Sequence, residues 1–168
     1  EVAFLTEFEK GNFSIDNPYV VTNPYLINPL CALIMFTTPE EVAVTVTVCG
    51  KRNSRENLSH TFPASAVHQL PVLGLYENHS NTVIISLSNG SQNTVTIETD
   101  ILPDAVCRCL NVKTSLDYLS DKFMFLSSAG KSFPAAYDYR GDIRWLLTEN
   151  TMFDIKRAKN GNLLTGSS

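Results

Sequence analysis

The sequence has 168 residues, enough for one well-packed domain, or for a domain of roughly 100 residues and part of a second. Its 17 acidic and 13 basic residues give a net charge of -4, and the basic residues do not cluster, so we expect no nucleic-acid binding. The longest apolar run, Leu30 to Phe36, is far shorter than the roughly 20 residues that cross a bilayer, so we expect no membrane insertion. No apolar leader opens the sequence, so we expect any export signal to be removed or never present.

The four cysteines, Cys31, Cys49, Cys107 and Cys109, are too few for a disulfide scaffold and lack the paired spacing of a zinc site. We expect free thiols buried in strands. On a strand, Cys107 and Cys109 would share one face and lie too far apart to bond easily to each other. A bridge from this pair to Cys31 or Cys49 stays open.

The first 29 residues predict an irregular segment with at most one edge strand, because Pro18, Pro24 and Pro29 each remove a backbone donor. The apolar run that follows predicts a core strand, closed by a turn over residues 37–41. From Val42 to Val48, four valines alternate with Ala and Thr, which predicts a strand with one buried face.

The next part of the chain predicts further strands and no helix. Residues 51–61 are polar and predict an exposed loop, and residues 70–76 predict an extended piece. Val83–Leu87 and Thr94–Glu98 predict a hairpin, because Asn89-Gly90 can supply the positive φ of a tight turn. These turn-separated strands indicate an all-β fold that begins with an antiparallel immunoglobulin-like sandwich, although the Cys-Trp-Cys signature is missing.

A change of character after residue 100 predicts a domain boundary. Pro103 opens a connector in which residues 105–112 could form one more strand and Thr114–Leu119 a capped helical turn. We therefore place the sandwich at residues 1–104, the connector at 105–121 and a second unit at 122–168.

Residues 122–168 predict short strands in an up-and-down meander, about four to a unit, which is the pattern of one β-propeller blade. The predicted strands are Phe123–Leu126, Ala135–Tyr139, Ile143–Leu147, Met152–Lys156 and Leu163–Thr165. Tight turns are predicted at Arg140-Gly141-Asp142 and Lys159–Asn162. One blade cannot bury both of its faces, so this unit is a truncated propeller or docks onto something else.

Candidate nucleophiles are few. His60, His68 and His79 have the right side chain, but none has an arginine or carboxylate at an informative spacing, so we expect structural roles. We expect His60 and His79 to lie in polar loops. Ser127 and Ser128 lack the glycine-flanked elbow of a serine nucleophile.

Three groups around the predicted meander have a functional and a structural interpretation. Arg140-Gly141-Asp142 spells an integrin-binding tripeptide, but a tight turn needs the same residue types. Acids at strand ends could bind a cation, but they more often cap the adjacent turn. Aromatic side chains could form a ligand platform, but we expect them to pack between blades. The acids are Asp138, Asp142 and Asp154, and the aromatic residues are Tyr137, Tyr139, Trp145 and Phe153.

Several segments in order carry a family resemblance. Tyr137–Trp145, followed by Phe153–Lys156 and Lys159–Leu164, resembles the first propeller blade of bacterial arylsulfate sulfotransferases. The front half resembles the N-terminal sandwich of the same family. The segments that carry this second match are Asn23-Pro24-Tyr25, Pro29–Leu33, Val42–Gly50 and Val72–Tyr76.

The resemblance implies an exported enzyme, periplasmic or secreted, with a six-bladed propeller. It would move a sulfuryl group from an aryl sulfate ester to a phenolic acceptor through a sulfated histidine, without a nucleotide donor. The family's catalytic histidines and arginine line blades after the first, so we assign no catalytic, cofactor-binding or metal-binding residue to this chain and expect no cofactor. The expected partners are the donor, the acceptor and the remaining blades, and a homodimer is one possible assembly.

On this interpretation the chain is an inactive N-terminal fragment. Two alternatives stay open: a non-catalytic immunoglobulin-like surface module for adhesion or protein binding, and another propeller protein of the quinoprotein type.

Overall fold

The computed structural model describes residues 3–115, 123–128, 132–149, 156–160 and 162–164. In chain order its elements are α1 (Ala3–Lys10), β1 (Tyr19–Thr22), β2 (Cys31–Val48), β3 (Leu58–Leu73), β4 (His79–Leu87), β5 (Gln92–Thr99), β6 (Met124–Ser128), β7 (Ser132–Tyr137), β8 (Ile143–Leu146), β9 (Lys156–Arg157) and β10 (Leu163–Leu164). A short 3-10 turn, Ser54–Glu56, precedes β3. Within the described ranges, no helix has the length and apolar character that crossing a bilayer requires.

Strands β1 to β5 form one antiparallel sheet built around β2. The first half of β2 lies between β1 and β3, and its second half lies between β3 and β4, with β5 beyond β4. Val46, for example, is opposite His60 on β3 and Ile85 on β4. The prediction of an all-β, antiparallel chain is confirmed.

The long strand β2 replaces a predicted strand–turn–strand. The turn predicted over residues 37–41 is wrong, because β2 runs through it. The register with β3 shifts between Thr37 and Val42, around Pro39, and shifts again between Val42 and Val44. Such bulges bend a strand and increase its twist, so the sheet curls where the sequence predicted a break.

The inner face of the curled sheet forms the main core. Val42, Val44, Val46 and Val48 are at most 6% exposed, as the alternation predicted. They belong to the same apolar cluster as Ile34 and Phe36 from the first half of β2, and Ile85 and Ile97 from β4 and β5.

The N-terminal helix α1 covers the opposite face of β2. Phe4 and Phe8, one helical turn apart, pack against Leu33 and Met35 in a second apolar cluster. The prediction of an irregular N-terminus is therefore wrong for residues 3–10, although β1 is the single edge strand that it allowed. The first half of β2 is thus buried on both faces.

Strand β3 begins earlier than predicted, and the hairpin is where it was expected. The exposed loop predicted for residues 51–61 is wrong from Leu58 onward, where β3 starts. Strands β4 and β5 pair from His79 to Ser86, and Gly90 in their turn has φ +93. The hairpin prediction is confirmed.

The predicted connector contains no strand among its described residues. The strand predicted for residues 105–112 is wrong, since residues 100–115 form turns and irregular backbone. The helical turn predicted at Thr114–Leu119 lies, from residue 116, outside the described residues.

Strands β6, β7 and β8 form an antiparallel meander. Leu126 is opposite Ala135, which is opposite Leu146 on β8. Strands β9 and β10 form a separate two-stranded ladder. Most of the strand predicted at Met152–Lys156 lies outside the described residues, and the propeller blade and the domain limits stay predictions.

The meander packs on the inner face of the curled sheet. Ala135, Tyr137, Ile143 and Leu146 are at most 4% exposed and belong to the cluster that contains the β2 valines. The amide of Thr148, just past β8, donates to the carbonyl of Ile27 at 2.9 Å.

Candidate functional site

A buried polar cluster lies where the meander meets the curled sheet. We define it as Glu56, Tyr76, Asp138 and Arg144, which are at most 6% exposed. Glu56 ends the 3-10 turn between β2 and β3, and Tyr76 lies between β3 and β4, so both come from connections between strands of the curled sheet. Asp138 follows β7, and Arg144 is on β8, so both come from the meander.

The loop that carries Tyr76 is held by a glycine and an asparagine. Gly74 has φ +83, a conformation that L side chains rarely adopt, and it turns the chain out of β3. The buried Asn81 side chain accepts a hydrogen bond from the Tyr76 amide at 2.7 Å and donates to its carbonyl at 3.1 Å. The backbone of Tyr76 is therefore held in place independently of the contacts that its side chain makes.

Asp138 organises the turn between β7 and β8. Its Oδ1 accepts from the amides of Arg140 at 2.9 Å and Asp142 at 3.1 Å, and Gly141 has φ +81. The expectation that acids at strand ends cap the adjacent turn is confirmed here. The other carboxylate oxygen, Oδ2, stays available for Arg144.

Arg144 joins the two halves of the cluster. Its Nε donates to the carbonyl of Gly74 at 2.9 Å, and its Nη1 is 2.8 Å from the Tyr76 hydroxyl and 3.1 Å from Asp138 Oδ2. Its Cζ lies 3.9 Å from the centre of the Tyr76 ring, a cation–π contact. Nη2 is buried without a hydrogen-bond partner in the described part of the chain.

Further ion pairs surround the cluster. Arg52 Nη1 is 2.8 Å from Asp142 Oδ2 and 3.4 Å from Glu56 Oε2, and Arg140 Nε is 3.7 Å from Glu56 Oε1. Lys51 Nζ is 3.9 Å from Asp142 Oδ1. Both charged side chains of Arg140-Gly141-Asp142 are therefore engaged within the chain, and the turn interpretation of this tripeptide fits the structure.

A surface cleft of about 170 Å³ adjoins the cluster. Its lining includes two cations, Lys51 and Arg108, and two carboxylates, Glu77 and Asp142. Arg108 Nη2 is 2.9 Å from Glu77 Oε2, so each cation has an acidic partner. The lining has no net charge to attract an anion.

Four groups that line the cleft, Tyr76, Glu77, Arg108 and Cys109, have shifted pKa values, and the first two decide what acid–base chemistry the cleft allows. Burial is the largest influence on Tyr76 and raises its pKa to about 12, so the phenol is protonated at neutral pH. Burial acts to raise the pKa of Glu77, but hydrogen bonds from Arg108 and the Leu102 amide, with nearby positive charge, lower it overall. Glu77 is therefore ionised, and Tyr76 cannot act as a base there.

The three histidines lie at separate positions in the sheet. His68 is 2% exposed, its Nε2 is 2.9 Å from the Thr38 hydroxyl, and burial lowers its pKa, which favours the neutral ring. His60 packs against Phe62, and His79 packs edge-on to Tyr76. His60 and His79 lie on β3 and β4, so their predicted placement in polar loops is wrong.

The predicted aromatic group divides between packing partners. Tyr137 is buried in the main core, Tyr139 donates to Glu56 Oε1 at 3.4 Å, and Trp145 packs edge-on to Phe125. Phe153 and Asp154 lie outside the described residues. Within the described ranges, no group of three or more His, Cys, Asp or Glu could hold a metal ion.

Arg144, Tyr76, Glu56 and Gly74 were not among the functional candidates predicted from the sequence. One local signal points to Arg144, because a charged residue inside a short apolar strand must find a buried partner. Asp138 precedes the same tight turn and is the natural candidate. Chemically, the cluster is a salt-bridged joint between two parts of the chain.

Comparison with known families assigns both parts to one family. Residues 19–101 match the model described as "Arylsulfotransferase Ig-like domain", and residues 109–168 match "Arylsulfotransferase (ASST)". A search of curated proteins finds no match. The two matches follow each other in the expected order and together span most of the sequence, so the chain belongs to the arylsulfotransferase family.

Proposed function

We propose that this chain is the N-terminal portion of an extracytoplasmic arylsulfate sulfotransferase. The complete enzyme moves a sulfuryl group from an aryl sulfate ester to a phenolic acceptor through a sulfated histidine and needs no nucleotide sulfate donor. The observation that carries the proposal is the ordered pair of family matches, the immunoglobulin-like region before the sulfotransferase region.

The role of this portion is to hold the start of the sulfotransferase region on the immunoglobulin-like sheet. Arg144 lies within the second matched region, and it binds the Gly74 carbonyl and the Tyr76 hydroxyl of the first. The shared apolar cluster joins the same two regions. These contacts favour a structural role for the sheet: it would hold in place the first blade of a propeller that begins near residue 122.

Sulfuryl transfer needs a nucleophilic imidazole and cationic groups around the anionic sulfate. The described residues do not assemble such a centre. His68 is enclosed between Thr38 and Phe36, and the cations of the cleft are paired with Asp142 and Glu77. We therefore place the transfer chemistry outside this portion and expect it to be inactive alone.

The test compares this chain with the longer protein encoded by its gene. With 4-nitrophenyl sulfate as donor and phenol as acceptor, the chain alone should release no nitrophenolate above buffer, whereas the longer protein should turn over. Activity of the chain alone would contradict its structural role. Inactivity of a folded longer protein, or a stop codon directly after Ser168, would contradict the sulfotransferase proposal itself.

A further inference from the structure

Two thiols flank an arginine where the segment between the two matched regions meets the second region, at Cys107-Arg108-Cys109. Both cysteines are free and exposed, and they lie in neither a helix nor a strand. Cys31, in contrast, is buried at the start of β2, and Cys49 is partly buried just past its end. The two exposed thiols are thus the ones that a dissolved reagent reaches most easily.

The arginine between the thiols is held in place. Arg108 Nη2 and Nε donate to the two carboxylate oxygens of Glu77 at 2.9 and 3.2 Å, and Nη2 also donates to the Leu102 carbonyl at 3.0 Å. A two-point contact of this kind fixes the guanidinium plane as well as its position. The middle residue of the tripeptide is therefore anchored to the sheet.

Both flanking residues contact the meander. The Tyr137 hydroxyl donates to the Cys107 carbonyl. Cys109 lies against the β7–β8 turn, where a Cβ added to Gly141 would come within 3.1 Å of the Cys109 Cβ. Burial raises the pKa of Tyr137 to about 12, and both thiols contribute to this rise, which agrees with their lying near the same hydroxyl.

We propose that Cys107 and Cys109 form a redox-active dithiol that closes to a disulfide around Arg108. The objection from sequence was that a strand would hold the two side chains apart, but in the structure the segment belongs to no strand. With one residue between them, the Cα atoms can come within the roughly 4.4 to 6.8 Å that a disulfide spans.

The reaction is a thiol–disulfide exchange with a small disulfide oxidant such as oxidised glutathione. One cysteine thiolate attacks an oxidant sulfur, which forms a mixed disulfide and releases one glutathione thiolate. The second cysteine thiolate then attacks the protein sulfur of the mixed disulfide and releases the second glutathione. Two protons leave the cysteines and two electrons pass to glutathione. An exposed disulfide in so small a ring should also be reduced easily.

Trypsin digestion shows which cysteines are joined, because it separates Cys107 from Cys109 and both from the other two cysteines. Cleavage at Lys10, Lys51, Arg55, Arg108 and Lys113 puts Cys31 and Cys49 together in peptide 11–51, Cys107 in peptide 56–108 and Cys109 in peptide 109–113. The folded chain is incubated with oxidised glutathione, and its remaining thiols are then blocked with N-ethylmaleimide in denaturant. We expect peptides 56–108 and 109–113 joined to each other, or left uncut as 56–113, without added maleimide or glutathione. Peptide 11–51 should carry two maleimides.

Two variants serve as matched controls. Cys107→Ser and Cys109→Ser each leave one exposed thiol. In these variants the reaction should stop at the mixed disulfide, with a single glutathione bound to the remaining cysteine. In the unchanged chain, three results would overturn the proposal: maleimide on both cysteines, a separate glutathione on each, or a link from either to peptide 11–51. Millimolar dithiothreitol should reopen the bond without denaturant, and resistance to it would contradict the predicted lability.

Discussion

At the scale of single residues, Arg144 makes a fully buried polar connection between the two matched regions. Its side chain is 1% exposed and contacts Gly74, Tyr76 and Asp138. Removing one partner of a buried ion pair is costly, because the remaining charge stays buried without compensation.

We therefore expect Arg144→Met to lower the free energy of unfolding by about 3 to 5 kcal/mol. Arg140→Met is the matched control, because Arg140 lies in the adjacent turn, its side chain is 40% exposed, and its pair with Glu56 is long at 3.7 Å. The control should change stability by no more than about 1 kcal/mol. Urea unfolding measures both, and equal effects of the two variants would contradict a special role for Arg144.

Local residue patterns could be predicted where the determining neighbours are close in sequence. The turn at Arg140-Gly141-Asp142 and its capping by Asp138 follow from residues within four positions. The contact of Arg144 with the Gly74 carbonyl spans 70 positions, and no pattern in one sequence states that pairing. The joint therefore became visible only in the structure.

At the scale of elements, valine alternation and Asn89-Gly90 were sufficient to predict part of β2 and the hairpin. The turn predicted at residues 37–41 was wrong, since Pro39 lies inside β2, and Pro63 likewise lies inside β3. The described ladders pair β3 only with β2, so its other edge needs no ladder donors and tolerates proline. Helix α1 has eight residues, too few for a strong periodic signal, and it depends on packing against Leu33 and Met35.

A glycine comparison tests the loop between β3 and β4. Gly74→Ala should destabilise the chain by about 2 to 4 kcal/mol, because φ +83 strains any L residue and the new Cβ would lie 2.2 Å from Leu58 Cδ1. Gly90→Ala is the control, since its φ is +93 but nothing lies within 4 Å of the added carbon. It should cost only about 1 to 2 kcal/mol for backbone strain. Thermal and urea unfolding of both variants give the comparison, and equal losses would show that the close contact relaxes freely.

At the scale of the whole molecule, the curled sheet and the meander share one core. The buried cluster that contains the β2 valines also contains Tyr137 and Ile143, and the buried polar cluster lies across the same boundary. The sequence predicted a boundary from a change of rhythm, but it gave no information about how much apolar surface the two sides bury together. That surface is the physical reason to expect the two parts to depend on each other.

We expect them to unfold together. Trp145, the only tryptophan, is on β8 and reports on the meander, whereas far-UV circular dichroism reports mainly on the larger sheet. Because separation would expose the shared core and break the Arg144 contacts, fluorescence and circular dichroism should give the same urea midpoint. Phe8→Ala is the control, since it weakens the α1 cluster, which lies on the other face of β2, and should leave the two signals coincident. A meander that unfolds at lower urea than the sheet would show that the joint does not couple them.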